Sequence, residues 1–93
     1  MESRISVISM IIEDVSVSVD INTLLHQYSS HIIGRLGLPY RERGVAILCV
    51  ILDAPGDVTS SLSGKLGMIH GVSVKTITSK NTGSAPEQNG ATK

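Results

Sequence analysis

Phenylalanine and tryptophan are absent from this 93-residue chain, and Tyr28 and Tyr40 are its only aromatic residues. Proteins that grip single-stranded nucleic acid stack its bases on aromatic faces, a mode closed to this chain. A clustered basic run is also missing: eight Lys and Arg balance eight Asp and Glu, for a net charge of zero. Binding to a phosphate backbone needs several converging cations. Direct nucleic-acid binding by the chain alone is therefore not expected. Cys49 has no second cysteine to pair with, which excludes an internal disulfide and accords with a cytoplasmic setting. The apolar run near the start is too short for a membrane span and lacks a signal-peptide cleavage pattern, so no membrane association is expected.

What remains is aliphatic. Ile5 to Ile12 carries apolar residues at odd positions (Ile5, Val7, Ile11) and at even ones (Ile8, Met10, Ile12). Such a strand is buried on both sides, whereas strict alternation would mark a half-buried one. Val45-Ala-Ile-Leu-Cys-Val-Ile-Leu52 repeats the pattern. Between them Ile21, Leu24, Leu25, Tyr28 and Ile32 recur at three- and four-residue spacing, which predicts a helix over about 18–30. Ser16 or Ser18 is the expected cap, although Val15-Ser-Val-Ser-Val19 alternates like a strand. A second strand covers 32–39, and Tyr40-Arg-Glu-Arg-Gly44 turns into the third, with Gly44 free to take positive φ. Pro39, Gly34 and Gly37 suit an edge strand.

Ala54-Pro-Gly-Asp57 breaks the third strand, and Asp57 is expected to cap a second helix whose buried stripe is Val58, Leu62, Leu66 and Ile69. Gly64 inside that helix costs on the order of 1 kcal/mol relative to Ala, a cost that close approach to the sheet or to a neighbouring subunit would explain. Val72, Val74 and Thr76 alternate in a fourth strand. The order β-α-β-β-α-β predicts an α+β, ferredoxin-like βαββαβ sandwich: a four-stranded antiparallel sheet with two helices on one face. Right-handed crossovers put strands one and three in the middle. One such domain spans residues 1–79. Residues 80–93 are small and polar without apolar periodicity, and a disordered tail is expected there.

Both helices then cover one face, and strands one and three each leave three or four aliphatic side chains on the other. Ser9 and Glu13 tip the balance toward helices on the even side of strand one. An apolar patch of that size marks an association site. The expectation is a homo-oligomer, dimer or tetramer, joined through the open sheet face or the edge strands.

No catalytic constellation stands out. Ser63-Gly64-Lys65 is superficially like a phosphate loop, but Leu66 replaces the hydroxyl residue that must follow the lysine, and the segment carries a helical stripe. His26, His31, His70 and Cys49 are the soft metal ligands. His26 and His31 lie about 140° apart round a helix and so cannot share an ion. Cys49 reads as a small hydrophobe in the core. Arg35, Arg41 and Arg43, with Glu42 among them, read as solvated charge. Adjacent Glu13 and Asp14 point to opposite sides rather than converge. No catalytic residue, metal ligand or cofactor is assigned, and the chain is not expected to be an enzyme.

Four segments together resemble one family. They are Met10-Ile-Ile-Glu-Asp14, Leu24-Leu-His26, Arg35-Leu-Gly-Leu-Pro-Tyr-Arg-Glu42 and Leu62-Ser-Gly-Lys-Leu-Gly-Met-Ile-His-Gly-Val-Ser-Val-Lys-Thr76. The string is similar to the iron-only hydrogenase system regulators, small proteins like ACT domains and the C-terminal domain of the nickel-responsive repressor. The resemblance spans nearly all of residues 3–78, and its most specific part is Leu-Ser-Gly-Lys-Leu-Gly ahead of Gly71-Val72. It implies a regulatory role connected with hydrogenase expression or assembly, exerted through a regulatory protein partner or a small ligand. The alternative it implies is a metal- or small-molecule-binding sensor related to the nickel repressor's effector domain. The repressors' ribbon-helix-helix segment is not matched, since strand one begins almost at Met1, and their nickel-ligand pattern is not reproduced by His26, His31, Cys49 and His70. The first strand-to-helix turn, Glu13-Asp-Val-Ser16, also lacks the glycine usual in amino-acid-binding ACT domains.

Overall fold

Aliphatic, β-branched runs become long strands here, and the two helical stripes become short helices laid across one side of them. A computed structural model describes residues 2–80. Strand β1 spans Ser3–Ile12, helix α1 Ser18–Gln27, β2 Ile32–Tyr40, β3 Val45–Pro55, α2 Gly56–Gly67 and β4 Val72–Thr78. The strands form one antiparallel sheet in the order β2-β3-β1-β4, with β1 and β3 central. This is the ferredoxin-like βαββαβ arrangement. The tail expected over 80–93 lies, beyond Lys80, outside the described residues.

Register decides which side of each strand is covered. Ile8 lies opposite Val50, and Met10 opposite Leu48 and Val74, so the even residues of β1 and β3 share one face. Ile8, Met10, Ile12, Leu48, Val50, Leu52 and Ala54 are buried there beneath Ile21 and Leu25 of α1 and Leu62 and Leu66 of α2. The helices therefore sit on the even side of β1. Ser6 is also buried on this face, and its hydroxyl meets that of Thr78 at 2.9 Å, so its burial leaves no polar group unsatisfied.

Several local expectations are corrected. Helix α1 begins at Ser18 as expected, after a single 3-10 turn at Val15–Val17, but it ends at Gln27 instead of Ser30. Neither Ser16 nor Ser18 caps α1. Asp14 caps the 3-10 turn, accepting from the amide and the hydroxyl of Ser16, which leaves Ser16 a donor. Strand β3 runs through Ala54 to Pro55 because β1 still pairs with it there, Ser3 lying opposite Pro55. Asp57 lies inside α2, not at its cap, and its carboxylate accepts from the next residue's amide. Ile69 falls beyond the end of α2 but is partly buried against the core.

Two glycines are required by the backbone. Gly44 takes φ 68° after the 3-10 turn at Arg41–Arg43, as expected for the β2–β3 connection. Gly71 takes φ 82°, and a Cβ on it would lie 2.7 Å from Asp14 Cβ and 3.3 Å from Asp14 N. Its carbonyl accepts from the Glu13 amide at 2.7 Å, stitching the end of β1 to the start of β4. Gly64 is different: a Cβ there meets nothing within 4 Å, so close approach to the sheet does not explain it.

Candidate functional site

Pleating sends the odd residues of β1 and β3 to the side that neither α1 nor α2 covers. Ile5, Val7, Ser9 and Ile11 stand beside Asp53, Ile51, Cys49 and Ile47. Register adds Leu36, Leu38 and Tyr40 from β2 and Ser73, Lys75 and Ile77 from β4. Ile5 and Ile11 are 44% and 48% exposed, Leu38 59%, and Leu36 and Ile77 each 70%. Fully burying one aliphatic side chain of this size gains about 1.5–3 kcal/mol, so a face with this many wet forgoes several kcal/mol. Contiguous apolar surface of that kind marks association sites.

Small side chains hollow the middle of this face. Ser9, Cys49 and Ser73 leave a depression of about 420 Å³ edged by Ile11, Ile47 and Lys75. Cys49 is thus half-buried on the open face rather than in the core, with its Sγ 3.9 Å from Ser9 Oγ. The correction has a simple cause: Leu48 and Val50 occupy the covered side, and a strand sends neighbours to opposite sides.

A second concavity lies on the covered side, between the start of α1 and β2. It holds about 290 Å³ and is lined by Ile12, Ile21, Gly37 and Leu48, with Asn22 and Arg35 at its polar edge. The missing side chain of Gly37 helps open it. Arg35 donates to Asn22 Oδ1 at 2.8 Å, so this guanidinium is held against α1, whereas sequence reasoning left it as free solvated charge. Arg41, Glu42 and Arg43 are exposed in the turn.

The sequence's soft ligands do not converge. His26 lies on α1, His31 on a 3-10 turn after it, and His70 beyond α2. Among the described residues no three His, Cys, Asp or Glu side chains gather as metal ligands would. Ser63-Gly64-Lys65 lies in the middle of α2, where a helix leaves no phosphate-cradling loop. The Glu13 amide bonds the Gly71 carbonyl, while the Asp14 carboxylate accepts from Ser16. The Ser16 hydroxyl, then its amide, holds the Asp14 carboxyl below the usual carboxylate range, with a smaller contribution from His70.

One polar cluster escaped sequence reasoning. The Tyr28 hydroxyl lies 3.0 Å from Ser61 Oγ and accepts from Lys65 Nζ at 3.1 Å, and the ammonium stands 5.4 Å from the ring centroid. The Ser61 bond, then the Lys65 bond and charge, lower the Tyr28 pKa from the ordinary phenol value. The cluster ties α1 to α2 on the exposed outer side of the helix layer. Only the helices' adjacency creates it, so no spacing along the chain could have announced it.

Comparison with known proteins adds a family and a neighbour. The family model TM1266-like, described as "Iron-only hydrogenase system regulator, putative", matches residues 4–76. The structure of the uncharacterized protein TM1266 from Thermotoga maritima is 38% identical and superposes with a TM-score of 0.81, covering 85% of this chain and 100% of that one. No curated protein sequence matches the chain.

Proposed function

Since the chain belongs to the TM1266-like family of iron-only hydrogenase system regulators, we propose that it is a noncatalytic, oligomeric regulatory module of that system. It acts through a partner protein or a small ligand rather than by gripping DNA alone. The observation that carries this reading is the face of the sheet opposite α1 and α2, on which Ile5, Ile11, Leu36, Leu38 and Ile77 are exposed together. Surface of this character is stabilised by a matching apolar surface, and a second copy supplies one by symmetry. The hollow at Ser9, Cys49 and Ser73 supports the same reading, because a protruding side chain from the other copy fills it.

Two measurements test the proposal separately. Sedimentation equilibrium at micromolar concentration is expected to show a dimer or tetramer, and a monodisperse monomer overturns the association. Transcript and activity levels of the iron-only hydrogenase are expected to change when the gene is deleted and to return on complementation; unchanged levels remove the regulatory role. The groove beside Arg35 and Asn22 favours one alternative, a small-molecule sensor. A metal sensor is separated by elemental analysis, where stoichiometric metal surviving dialysis would establish it.

A further inference from the structure

A third concavity, away from the open face, differs from the others in having hydroxyls as most of its lining side chains. It lies between α2, from Gly56 to Gly64, the start of β1 and the end of β4, and holds about 440 Å³. Arg4, Thr59, Ser60, Ser63, Thr76 and Thr78 line it, together with Gly56 and Gly64. Among the described residues no carboxylate does. Two hydrogen bonds brace its walls: Ser63 Oγ to Thr76 Oγ1 at 2.8 Å joins α2 to β4, and Ser6 Oγ to Thr78 Oγ1 at 2.9 Å joins β1 to β4.

Three features of the cleft lack an internal explanation. Thr59 is 4% exposed, and its hydroxyl is the one buried side-chain oxygen without a hydrogen-bond partner among the described residues. Leaving such a group unpaired is costly, and natural structures rarely do so without a ligand, water or ion nearby. The Arg4 side chain makes no hydrogen bond or ion pair among the described residues. Gly56 and Gly64 would meet nothing within 4 Å if they carried a Cβ, so packing does not demand glycine at either wall.

The geometry points to a binding site for a small organic oxyanion, a phosphate ester or a carboxylate. The start of α2 presents the first-turn amides, of which Val58's is bonded to the Asp57 carboxylate, and the positive end of the helix dipole at Gly56. Asp57, one residue on, accepts only from the Val58 amide, at 3.0 Å, and does not line the cleft. Arg4 supplies the counter-charge from the opposite wall, and charge-assisted bonds from a guanidinium are the strong ones. Thr59 at the floor and Ser60 and Ser63 along the helix offer hydroxyls to the ligand oxygens. The volume leaves room for an organic body beyond the anionic group, and Gly64 keeps that end clear. The cleft would hold the small ligand of the regulatory reading and so deepens it. Whether it binds is nonetheless a property of these residues and is measured without any regulatory readout.

The test is a two-dimensional NMR titration of the full chain with inorganic phosphate and, separately, acetate, at ionic strength held constant with chloride. Saturable shifts in the millimolar range are expected at the amides of Gly56 to Ser60 and of Thr76 to Thr78. Saturation by phosphate alone assigns a phosphate ester, and saturation by acetate alone a carboxylate. Arg4→Gln, an exposed position that leaves the core intact, should weaken binding roughly tenfold. Thr59→Val, nearly isosteric, should weaken it by a smaller factor, whereas Lys75→Gln on the open face should change nothing. Absence of saturable shifts, identical shifts with chloride alone, or equal binding by the Arg4→Gln and Thr59→Val variants overturns the site. A null titration beside a hydrogenase response to gene deletion sinks the cleft and spares the regulatory reading.

Discussion

The two faces of this sheet are made from the same aliphatic residues and meet opposite fates. Ile8, Met10, Val50 and Leu52 are sealed beneath α1 and α2, while Ile5, Ile11, Leu36 and Ile77 stand in solvent one residue or one strand away. Composition does not separate them. What separates them is that both crossovers are right-handed and so deliver both helices to one side, leaving none of the described elements to lie on the other. In a single small domain, an apolar side that lacks such a cover is material for an interface.

Four experiments break or sharpen that contrast. Leu62→Ala, at a fully buried side chain of α2, is expected to destabilise the chain by about 2–5 kcal/mol in urea unfolding, because the cavity cannot collapse fully. A cost near zero would mean the covered face is not the core. Gly71→Ala follows at about 1–3 kcal/mol, from positive φ and the approach of Asp14 Cβ. The bare face should respond in the opposite way. Leu36→Ser combined with Ile77→Ser is expected to shift monomer stability by no more than about 0.5 kcal/mol while abolishing association in sedimentation equilibrium. Association that survives both changes would move the proposed interface elsewhere.

The smallest effect concerns acid. The folded-state pKa of Asp14 is lowered by its bonds from Ser16. Its contribution to stability is therefore present above the unfolded carboxylate pKa and is lost as pH falls through the folded value. Ser16→Ala should flatten the acid side of a stability–pH profile measured by thermal melts; an unchanged profile would place the acid sensitivity in other carboxylates.

Much of the architecture was legible because burial on both sides leaves a trace in the residue pattern. Apolar residues at every position of 45–52 marked β3 as central, and Pro39 with Gly34 and Gly37 marked β2 as an edge. Ser9 and Glu13 tipped the choice of covered side correctly. Cys49 was misplaced because an all-apolar strand does not say which half of its residues the helices cover. The cap of α1 was misplaced because Ser16 donates to Asp14, and several polar side chains in a row all look able to cap. Neither the Tyr28–Ser61–Lys65 cluster nor the hydroxyl-lined cleft left a trace, since their members lie on different elements.

The order of elements, the two central strands, the aliphatic stripes of the helices and membership of the regulator family follow from the residues themselves, because each is a periodic or local property of the chain. Which pleat side became core and which stayed bare, how Arg4 and Thr59 came to line one cleft, and why residue 71 must be glycine were decided only when distant strands came into register. Pairing converts a position along the chain into a side of a sheet, and that conversion is a long-range event.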